Sequence, residues 1–375
     1  MIKVLHTGDI HLDSPFSGLS PDRAELRRAE LRSAFTSMMT YARTGDIDIV
    51  LVTGDLFESR YITRETAELV TGEFSRVGCP VIVSPGNHDP YTHGSIWEKI
   101  KMPDNVKVFS SDVLQCFSFP ELNTDVYGYA FVSGEMTSVP LASASVADRG
   151  RINLICAHAD MTSPLSHSAP LSKDVLASFG ADYAALGHIH NADNYRGEAG
   201  SCSYAYCGCL VGRSFDECGD KGALVVTVDK DSDSAKAAVR TMKFSRRRYE
   251  DISVDVTGAA TSREVTDKIE DAISGADDET AVRVRIYGVT IPRLSFLRYC
   301  RSVSGCSRSR SGRPAARRCG LPRGRSVRAG RILQDDKAEA RERGRAGARG
   351  GAAGAAVRYG GYRRRKHFGY LRRRI

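Results

Sequence analysis

The chain has 375 residues, of which 41% are hydrophobic and 26% are charged, and these values are typical of a globular protein with room for two domains. No stretch of about 18 apolar residues occurs, and the N-terminus lacks the basic and apolar regions of a signal peptide, so we expect a cytoplasmic protein without a membrane segment. The formal net charge of +9 is divided unevenly, because residues 301–375 hold 21 Arg and 2 Lys against 4 acidic residues. The first 300 residues therefore carry a net charge of −10.

The first part of the chain alternates short apolar runs with helical patterns, as in βαβ units. The run IKVLHT predicts a strand, and Pro21 stands at the first position of a helix predicted from about Ser20. IDIVLVT predicts a second strand, followed by a helix from about Thr63 to Gly78, and PVIVS predicts a third strand. Later strands are predicted at INLICA, DYAALG, GALVVTV and VRVRIYG.

Each of the first five predicted strands ends in side chains that can bind a metal ion. The motifs at these positions read GDIH, GDLF, GNHD, AHAD and GHIH. Because ligands bind at the carboxyl edge of an α/β sheet, where loops converge, we expect the five motifs to face a shared centre. The candidate ligands are Asp9, His11, Asp55, Asn87, His158, His188 and His190.

The chemistry of these side chains limits the ion that they could bind. Carboxylates, imidazoles and one amide oxygen, without thiolate, favour manganese, iron or zinc. Seven ligands exceed the needs of one tetrahedral ion, so we expect two ions bridged by a carboxylate. Two such ions about 3.5–4 Å apart can hold an activated water and a phosphoryl oxygen, which implies phosphoester hydrolysis. A competing zinc site would use four cysteines whose spacing matches no common pattern, namely Cys202, Cys207, Cys209 and Cys218.

In this order, the five motifs resemble those of the calcineurin-like metallophosphoesterases, and the resemblance covers roughly residues 1–220. It implies an α/β protein with the β-sandwich of that family flanked by helices, holding two divalent ions, with Mn²⁺ as first choice and Fe or Zn as alternatives. It further implies two overlapping ligand sets, which are Asp9, His11, Asp55 and His190 for one ion, and Asp55, Asn87, His158 and His188 for the other.

The same resemblance assigns catalytic roles to His88 and Asp89. His88 would contact the scissile phosphate and stabilise or protonate the leaving oxygen, a task suited to an imidazole with a pKa near neutrality. Asp89 would support the site from outside the ligand set.

Two stretches, HTGDIHLDSPF and YCGCLVGRSFDECGDKGALVV, look like those of the bacterial DNA repair exonucleases of the SbcD and YhaO type. SRRRYEDISVDVTG and AVRVRIYG resemble the small α+β capping domain of these enzymes. We therefore expect a nuclease domain at 1–245 and a partial capping domain at 246–292. The resemblance implies DNA as partner, an SbcC-like SMC-type ATPase, a homodimer, and a place at the nucleoid.

Residues 293–375 form an Arg/Gly/Ala-rich segment, for which composition predicts disorder. Our preferred interpretation is a frameshifted end, because runs of Arg, Gly, Ala and Ser are what an out-of-frame reading of GC-rich DNA encodes. The alternative is a genuine basic arm that binds phosphate backbones. This segment stands where the family carries the helices that dock on the ATPase.

Two other functions compete with a DNA nuclease. Another phosphoesterase, acting on a cyclic nucleotide, a phosphoprotein or a lipid diphosphate, would use the same ligand set. A non-catalytic nucleic-acid-binding module would work through the basic segment, although every ligand position of the motifs is filled.

Overall fold

The computed structural model describes residues 1–231, 237–289 and 371–372, which form a mixed α/β protein. The helices are α1 (Pro21–Thr44), α2 (Arg64–Arg76), α3 (Ile96–Lys99), α4 (Lys173–Phe179) and α5 (Ser262–Ala272). The strands are β1 (Ile2–Thr7), β2 (Ile49–Val52), β3 (Val81–Val83), β4 (Val106–Val108), β5 (Gln115–Phe119), β6 (Thr124–Gly128), β7 (Ile152–His158), β8 (Tyr183–Gly187), β9 (Arg196–Ala199), β10 (Cys202–Tyr206), β11 (Gly222–Val228), β12 (Ala237–Lys243), β13 (Arg248–Asp255), β14 (Thr280–Tyr287) and β15 (Leu371–Arg372). No helix within these ranges combines the length and apolar character that crossing a membrane requires.

The first sheet has the strand order β12-β11-β1-β2-β3-β4. Strands β1 to β4 are parallel, and β11 joins β1 in the antiparallel sense. Successive residues of a strand point to opposite faces, so Leu5, Val50 and Val52 pack with helices α1 and α2 while Val4 and Leu51 face the second sheet. Burial on both faces explains the continuous apolar runs from which these strands are predicted.

The second sheet has the order β5-β6-β7-β8-β10-β9 and lies face to face with the first. Leu154 and Cys156 of β7 point into the core between the sheets. Ile155 and Ala157 point to the outer face, where Phe179 of α4 joins the same cluster. These layers confirm the predicted β-sandwich flanked by helices.

The five strands that end in ligand motifs do not share one sheet edge, which corrects that part of the prediction. Strands β1, β2 and β3 belong to the first sheet, whereas β7 and β8 belong to the second. The physical reason is that β4, β5 and β6 follow β3 and carry the chain across to the second layer. The motifs therefore converge from the carboxyl ends of two facing sheets.

The predicted helix starts agree with the structure, because α1 begins at Pro21 and the Thr63 side chain accepts a hydrogen bond from the Thr66 backbone at the start of α2. Helix α2 ends at Arg76, slightly before the predicted stop. Strands β4, β5, β6, β9, β10 and β12 were not predicted. The first five have only three to five residues each, and β9 (RGEA) has little apolar content.

The region predicted to be a capping domain, called here the capping unit, comprises the parallel pair β13 and β14 with helix α5 between them in sequence. Val265 and Ile269 of α5 pack on Val254, Val282 and Val284 of the two strands. Strand β15 pairs antiparallel with β14. The predicted disorder or frameshift at 293–370 and 373–375 lies outside the described residues.

His6 joins the two sheets behind the metal motifs. Its Nδ1 lies 2.9 Å from the Tyr183 hydroxyl, and its Nε2 lies 3.2 Å from the Leu186 carbonyl oxygen. Because a carbonyl can only accept, Nε2 donates and Nδ1 accepts from Tyr183. Burial lowers the pKa of His6 to about 3, so the ring stays neutral in the folded protein.

We predict that His6 makes stability fall in acid. Its folded pKa lies below its unfolded value of about 6.5, so the unfolded state binds more protons between these values and the free energy of unfolding drops as pH falls through that window. One such group contributes a slope of at most about 1.4 kcal/mol per pH unit. His6→Gln should reduce the measured slope between pH 6.5 and 4.5 in urea titrations. An unchanged slope would contradict the assignment.

Candidate dinuclear metal centre

The loops after β1 and β2 are joined by backbone hydrogen bonds. The Asp9 amide donates to the Gly54 carbonyl at 3.0 Å, and the His11 amide donates to the Asp55 carbonyl at 2.9 Å. Asp9, His11 and Asp55 have φ of 48°, 49° and 52°, a left-handed backbone that costs energy for residues with a Cβ. The fold therefore holds these three side chains in an unusual conformation that aims them at one point.

The glycines of the motifs allow the loops to approach closely. A Cβ added at Gly187 would lie 2.0 Å from the Thr53 carbonyl oxygen, which belongs to the other sheet. A Cβ at Gly86 would lie 2.3 Å from Asp55 Oδ1. The motifs at these two positions begin with glycine because a side chain would occupy space taken by the neighbouring loop.

We predict that Gly187→Ala disrupts the centre. The added methyl group meets the Thr53 backbone, which cannot move without displacing the nearby Asp55 loop, and overpacking of this kind costs about 1–3 kcal/mol. Urea unfolding should show that loss, and calorimetry should show weaker metal binding. Gly134→Ala is the matched control, because a Cβ there meets nothing within 4 Å. Equal behaviour of the two variants would refute the steric argument.

The Asp55 carboxylate lies between histidines from the two sheets. Its Oδ2 is 3.6 Å from His11 Nε2 and 3.5 Å from His158 Nε2. Its Oδ1 accepts a hydrogen bond from the His88 backbone amide at 2.9 Å. This position between two imidazoles is the one that a bridging carboxylate requires.

Asp9, His11 and His190 form one compact group, with ligand atoms within 4.8 Å of one another. His190 Nε2 lies 3.6 Å from Asp9 Oδ1 and 3.3 Å from His11 Nε2. Burial raises the pKa of Asp9 to about 7, because a carboxylate here is removed from water and lies near Asp55. A buried carboxylate facing two imidazole nitrogens is the environment that a divalent cation would stabilise.

The other predicted group surrounds His158. Its Nδ1 donates to the Thr53 carbonyl at 2.9 Å, and burial lowers its pKa to about 4, so Nε2 carries a lone pair. That nitrogen lies 2.9 Å from Asn87 Oδ1, and two lone pairs facing each other are unfavourable without a cation between or beside them. The donors present therefore fit a metal ion. The ring of His188 lies 5.2 Å from that of His158, and its Nε2 faces Asp160 Oδ2 at 3.7 Å.

His88 lies at the outer side of the centre, with its side chain 44% exposed. Its ring centre is 4.8 Å from that of His11. Glu58, which the sequence reasoning missed, contacts both, with Oε1 3.2 Å from His88 Nδ1 and Oε2 3.4 Å from His11 Nδ1. Burial raises the pKa of Glu58, but hydrogen bonds to the two histidines outweigh it and lower that pKa. Its position three residues after Asp55 was the available signal.

Asp89 is fully buried and turns away from the ligand atoms. Its carboxylate accepts hydrogen bonds from the backbone amides of Gly86, Asp55, Leu56 and Phe57, at 2.7 to 3.2 Å. These contacts are those of a positioning residue that fixes the loops after β2 and β3. The predicted catalytic role of Asp89 is not tested by them.

Glu217 and Arg213 were also missed by the sequence reasoning. Glu217 is buried, and its Oε1 lies 2.7 Å from His190 Nδ1. Arg213 donates to Glu217 from its backbone amide at 2.7 Å and from its guanidinium at 2.9 Å. A carboxylate on the far nitrogen of a ligand histidine fixes the orientation of the ring. Both residues lie in the stretch that resembles the repair exonucleases, which was the only signal.

The alternative zinc site is not supported. Within the described ranges, none of the groups of metal-ligand atoms close enough to hold an ion includes a cysteine. The four residues in question are free thiols, Cys202, Cys207, Cys209 and Cys218.

Residues 2–192, about half of the chain, match the Metallophos family, described as calcineurin-like phosphoesterase. The chain belongs to this family. Members of the family bind divalent metals. In this chain, Asp9, His11 and His190 form one group of ligand atoms close enough to hold an ion, and Asp9, Asp55 and His158 form another. The chain is accordingly a metallophosphoesterase with candidate ligands for divalent ions.

Several curated proteins are similar to this member of the family. The uncharacterized metallophosphoesterase YhaO of Bacillus subtilis is 29% identical over 285 residues, which are 72% of this chain and 67% of that protein. The DNA double-strand break repair protein Mre11 of Aeropyrum pernix is 27% identical, over 68% of this chain and 64% of that protein. The SbcD component of the nuclease SbcCD of Escherichia coli is 26% identical, over 58% of this chain and 62% of that protein. The chain thus spans about two thirds or less of the length of these relatives.

Proposed function

We propose that this metallophosphoesterase is a DNA nuclease that hydrolyses phosphodiester bonds with two divalent ions, most simply Mn²⁺, in DNA repair. The observation that carries the proposal is the Asp55 carboxylate between His11 and His158, which is suited to bridging two ions. Ions held there would supply Lewis acidity and an activated water at neutral pH. Asp9 and His190 would complete one site. Asn87 and His188, which lie near His158, would complete the second.

The protein residues around the ligands would position the phosphodiester and its leaving group. The exposed ring of His88 can reach a substrate while Glu58 fixes its Nδ1, so that Nε2 is the atom free to contact the leaving oxygen. Asp89 holds the loops that carry Asp55 and His88 through backbone hydrogen bonds. These roles divide the GNHD motif into an amide ligand, an imidazole that touches the substrate, and a buried anchor.

The names of two relatives support DNA as the substrate. Mre11 is named a DNA double-strand break repair protein, and the Escherichia coli relative is named a subunit of the nuclease SbcCD. The capping unit beside the metal domain also favours a polymer, because a small diester needs no second domain to be bound. In this proposal the nuclease domain is 1–245 and the capping domain begins at 246. An SMC-type ATPase partner, a homodimer and a nucleoid location belong to the same proposal.

The competing proposal is a phosphoesterase for a cyclic nucleotide, a phosphoprotein or a lipid diphosphate. This phosphoesterase would use the same ligands. The net charge of −10 on the first 300 residues favours it, because a negatively charged protein has no general affinity for polyanions such as DNA. A nuclease with this charge must attract phosphate locally, at the bound ions. Direct comparison of substrates distinguishes the two proposals.

We predict that two substitutions both lower turnover but differ in their effect on metal content. Asp55→Asn should abolish hydrolysis and lower the bound metal content, because the bridging charge is lost. His88→Ala should lower kcat about 10²- to 10⁴-fold and retain two ions, because His88 is a general acid rather than a ligand. Metal analysis measures the effect on metal content, and turnover of DNA, whose alkoxide leaving group needs a proton, measures the effect on hydrolysis. His167→Ala is the control, since that exposed imidazole also faces a glutamate but lies outside the centre. Metal loss confined to His88→Ala would reverse the assignment.

We predict manganese-dependent cleavage of linear and plasmid DNA that EDTA abolishes. Cleavage should weaken as salt rises, because phosphate contacts are screened. Cyclic AMP, a phosphopeptide and bis-p-nitrophenyl phosphate are the comparison substrates. If any of these substrates is turned over while DNA is not cleaved, the competing phosphoesterase is favoured.

A further inference from the structure

Residues 212–219, called here the 212–219 loop, follow β10 and lie between His190 and the capping unit. The loop is internally ordered, because the Glu217 amide donates to the Ser214 carbonyl at 3.0 Å and the Asp216 amide donates to the Ser214 hydroxyl at 3.2 Å. These bonds close a turn around Phe215. Phe215 and Glu217 therefore belong to one hydrogen-bonded turn.

One side of the loop contacts the metal centre. Glu217 Oε1 lies 2.7 Å from His190 Nδ1, while the opposite ring nitrogen of His190 lies 3.6 Å from Asp9 Oδ1. Glu217 also accepts hydrogen bonds from the Arg213 backbone amide at 2.7 Å and from the Arg213 guanidinium at 2.9 Å. Arg213 therefore fixes the carboxylate that orients the His190 imidazole.

The other side of the loop contacts the capping unit. The Phe215 ring meets the Tyr249 ring of β13 edge-on, with centroids 5.0 Å apart, and the guanidinium of Arg283 in β14 lies 4.8 Å from the centre of the Phe215 ring. The Gly219 amide donates to the Tyr249 carbonyl at 2.9 Å. The capping unit is therefore docked on the same turn that fixes His190.

The docked position is also supported by helix α1. Arg27 donates to the Gly212 carbonyl at 2.6 Å, and its guanidinium lies 5.7 Å from the centre of the Tyr249 ring. Glu30 of the same helix pairs with Arg247, the residue before β13, at 2.7 Å. Helix α1 thus contacts both the start of the 212–219 loop and the start of the capping unit.

We propose that the 212–219 loop couples the capping unit to the metal centre, with Glu217 as the positioning residue for His190 and Phe215 as the contact that senses the cap. The proposal rests on the assignment of His190 as a metal ligand made above. Displacement of Tyr249 and Arg283 would shift Phe215, and the closed turn would carry that shift to Glu217 and the imidazole. The affinity for one of the two ions should therefore depend on a contact made outside the centre.

The test is Mn²⁺ titration calorimetry on the full chain, without DNA, comparing Phe215→Ala with the wild type. We expect about tenfold weaker binding of one ion and unchanged binding of the other. Glu217→Ala should weaken the same ion about 10- to 100-fold, and His190→Ala identifies which ion it is. Phe215→Leu, which keeps an apolar contact with the cap, should recover most of the affinity.

Phe244→Ala is the matched control. Phe244 is also half-buried and meets an aromatic ring edge-on, that of Tyr41 at 5.8 Å, but it lies outside the 212–219 loop. The Phe244→Ala variant should bind both ions with wild-type affinity. Circular dichroism and urea unfolding of the apo forms show that each variant is folded.

Three results would overturn the coupling: wild-type affinity in Phe215→Ala, equal weakening of both ions, or failure of the wild-type chain to bind two ions. The outcome is separable from the nuclease proposal, because no substrate is present. If DNA is not cleaved but Phe215→Ala weakens one ion, the coupling stands and the nuclease proposal fails. If DNA is cleaved and Phe215→Ala binds both ions with wild-type affinity, the nuclease proposal stands and the coupling fails.

Discussion

The centre depends on the close approach of the two sheets at Thr53. This residue directly follows β2, and its carbonyl oxygen accepts the hydrogen bond from His158 Nδ1 on the second sheet. Gly187 packs against the same carbonyl, and its lack of a side chain is what permits the contact. Since Asp55 follows Thr53 by two residues, this contact between the layers sets the position of the Asp55 carboxylate. His6 reinforces it from behind with hydrogen bonds across the core.

The candidate ligands could be located in the sequence because they occur in short motifs after strongly apolar strands. Runs such as IVLV and VIV are buried on both faces, so their ends, and the loops that follow, could be located without a structure. The capping strands and α5 were predictable from their resemblance to a known domain. The division of the motifs between two sheets was not, because the strands that carry the chain between layers are short and mixed in composition.

Glu58, Glu217 and Arg213 illustrate a second limit. Each acts through another side chain, and an acidic or basic residue in a loop has no periodic pattern that distinguishes such a role from ordinary solvation. Glu58 meets His88 only because two loops from neighbouring strands approach each other, and Glu217 meets His190 across 27 positions of sequence. Asp89 was noticed, but its function as an acceptor for four backbone amides depends on geometry that no motif states.

The left-handed backbone at Asp9, His11 and Asp55 has a consequence for which side chains these positions tolerate. Hydrogen bonds between the protein loops and to the buried Asp89 carboxylate support the three conformations. A β-branched side chain would be strained at any of the three positions, so the backbone restricts the residues there independently of their chemistry toward an ion.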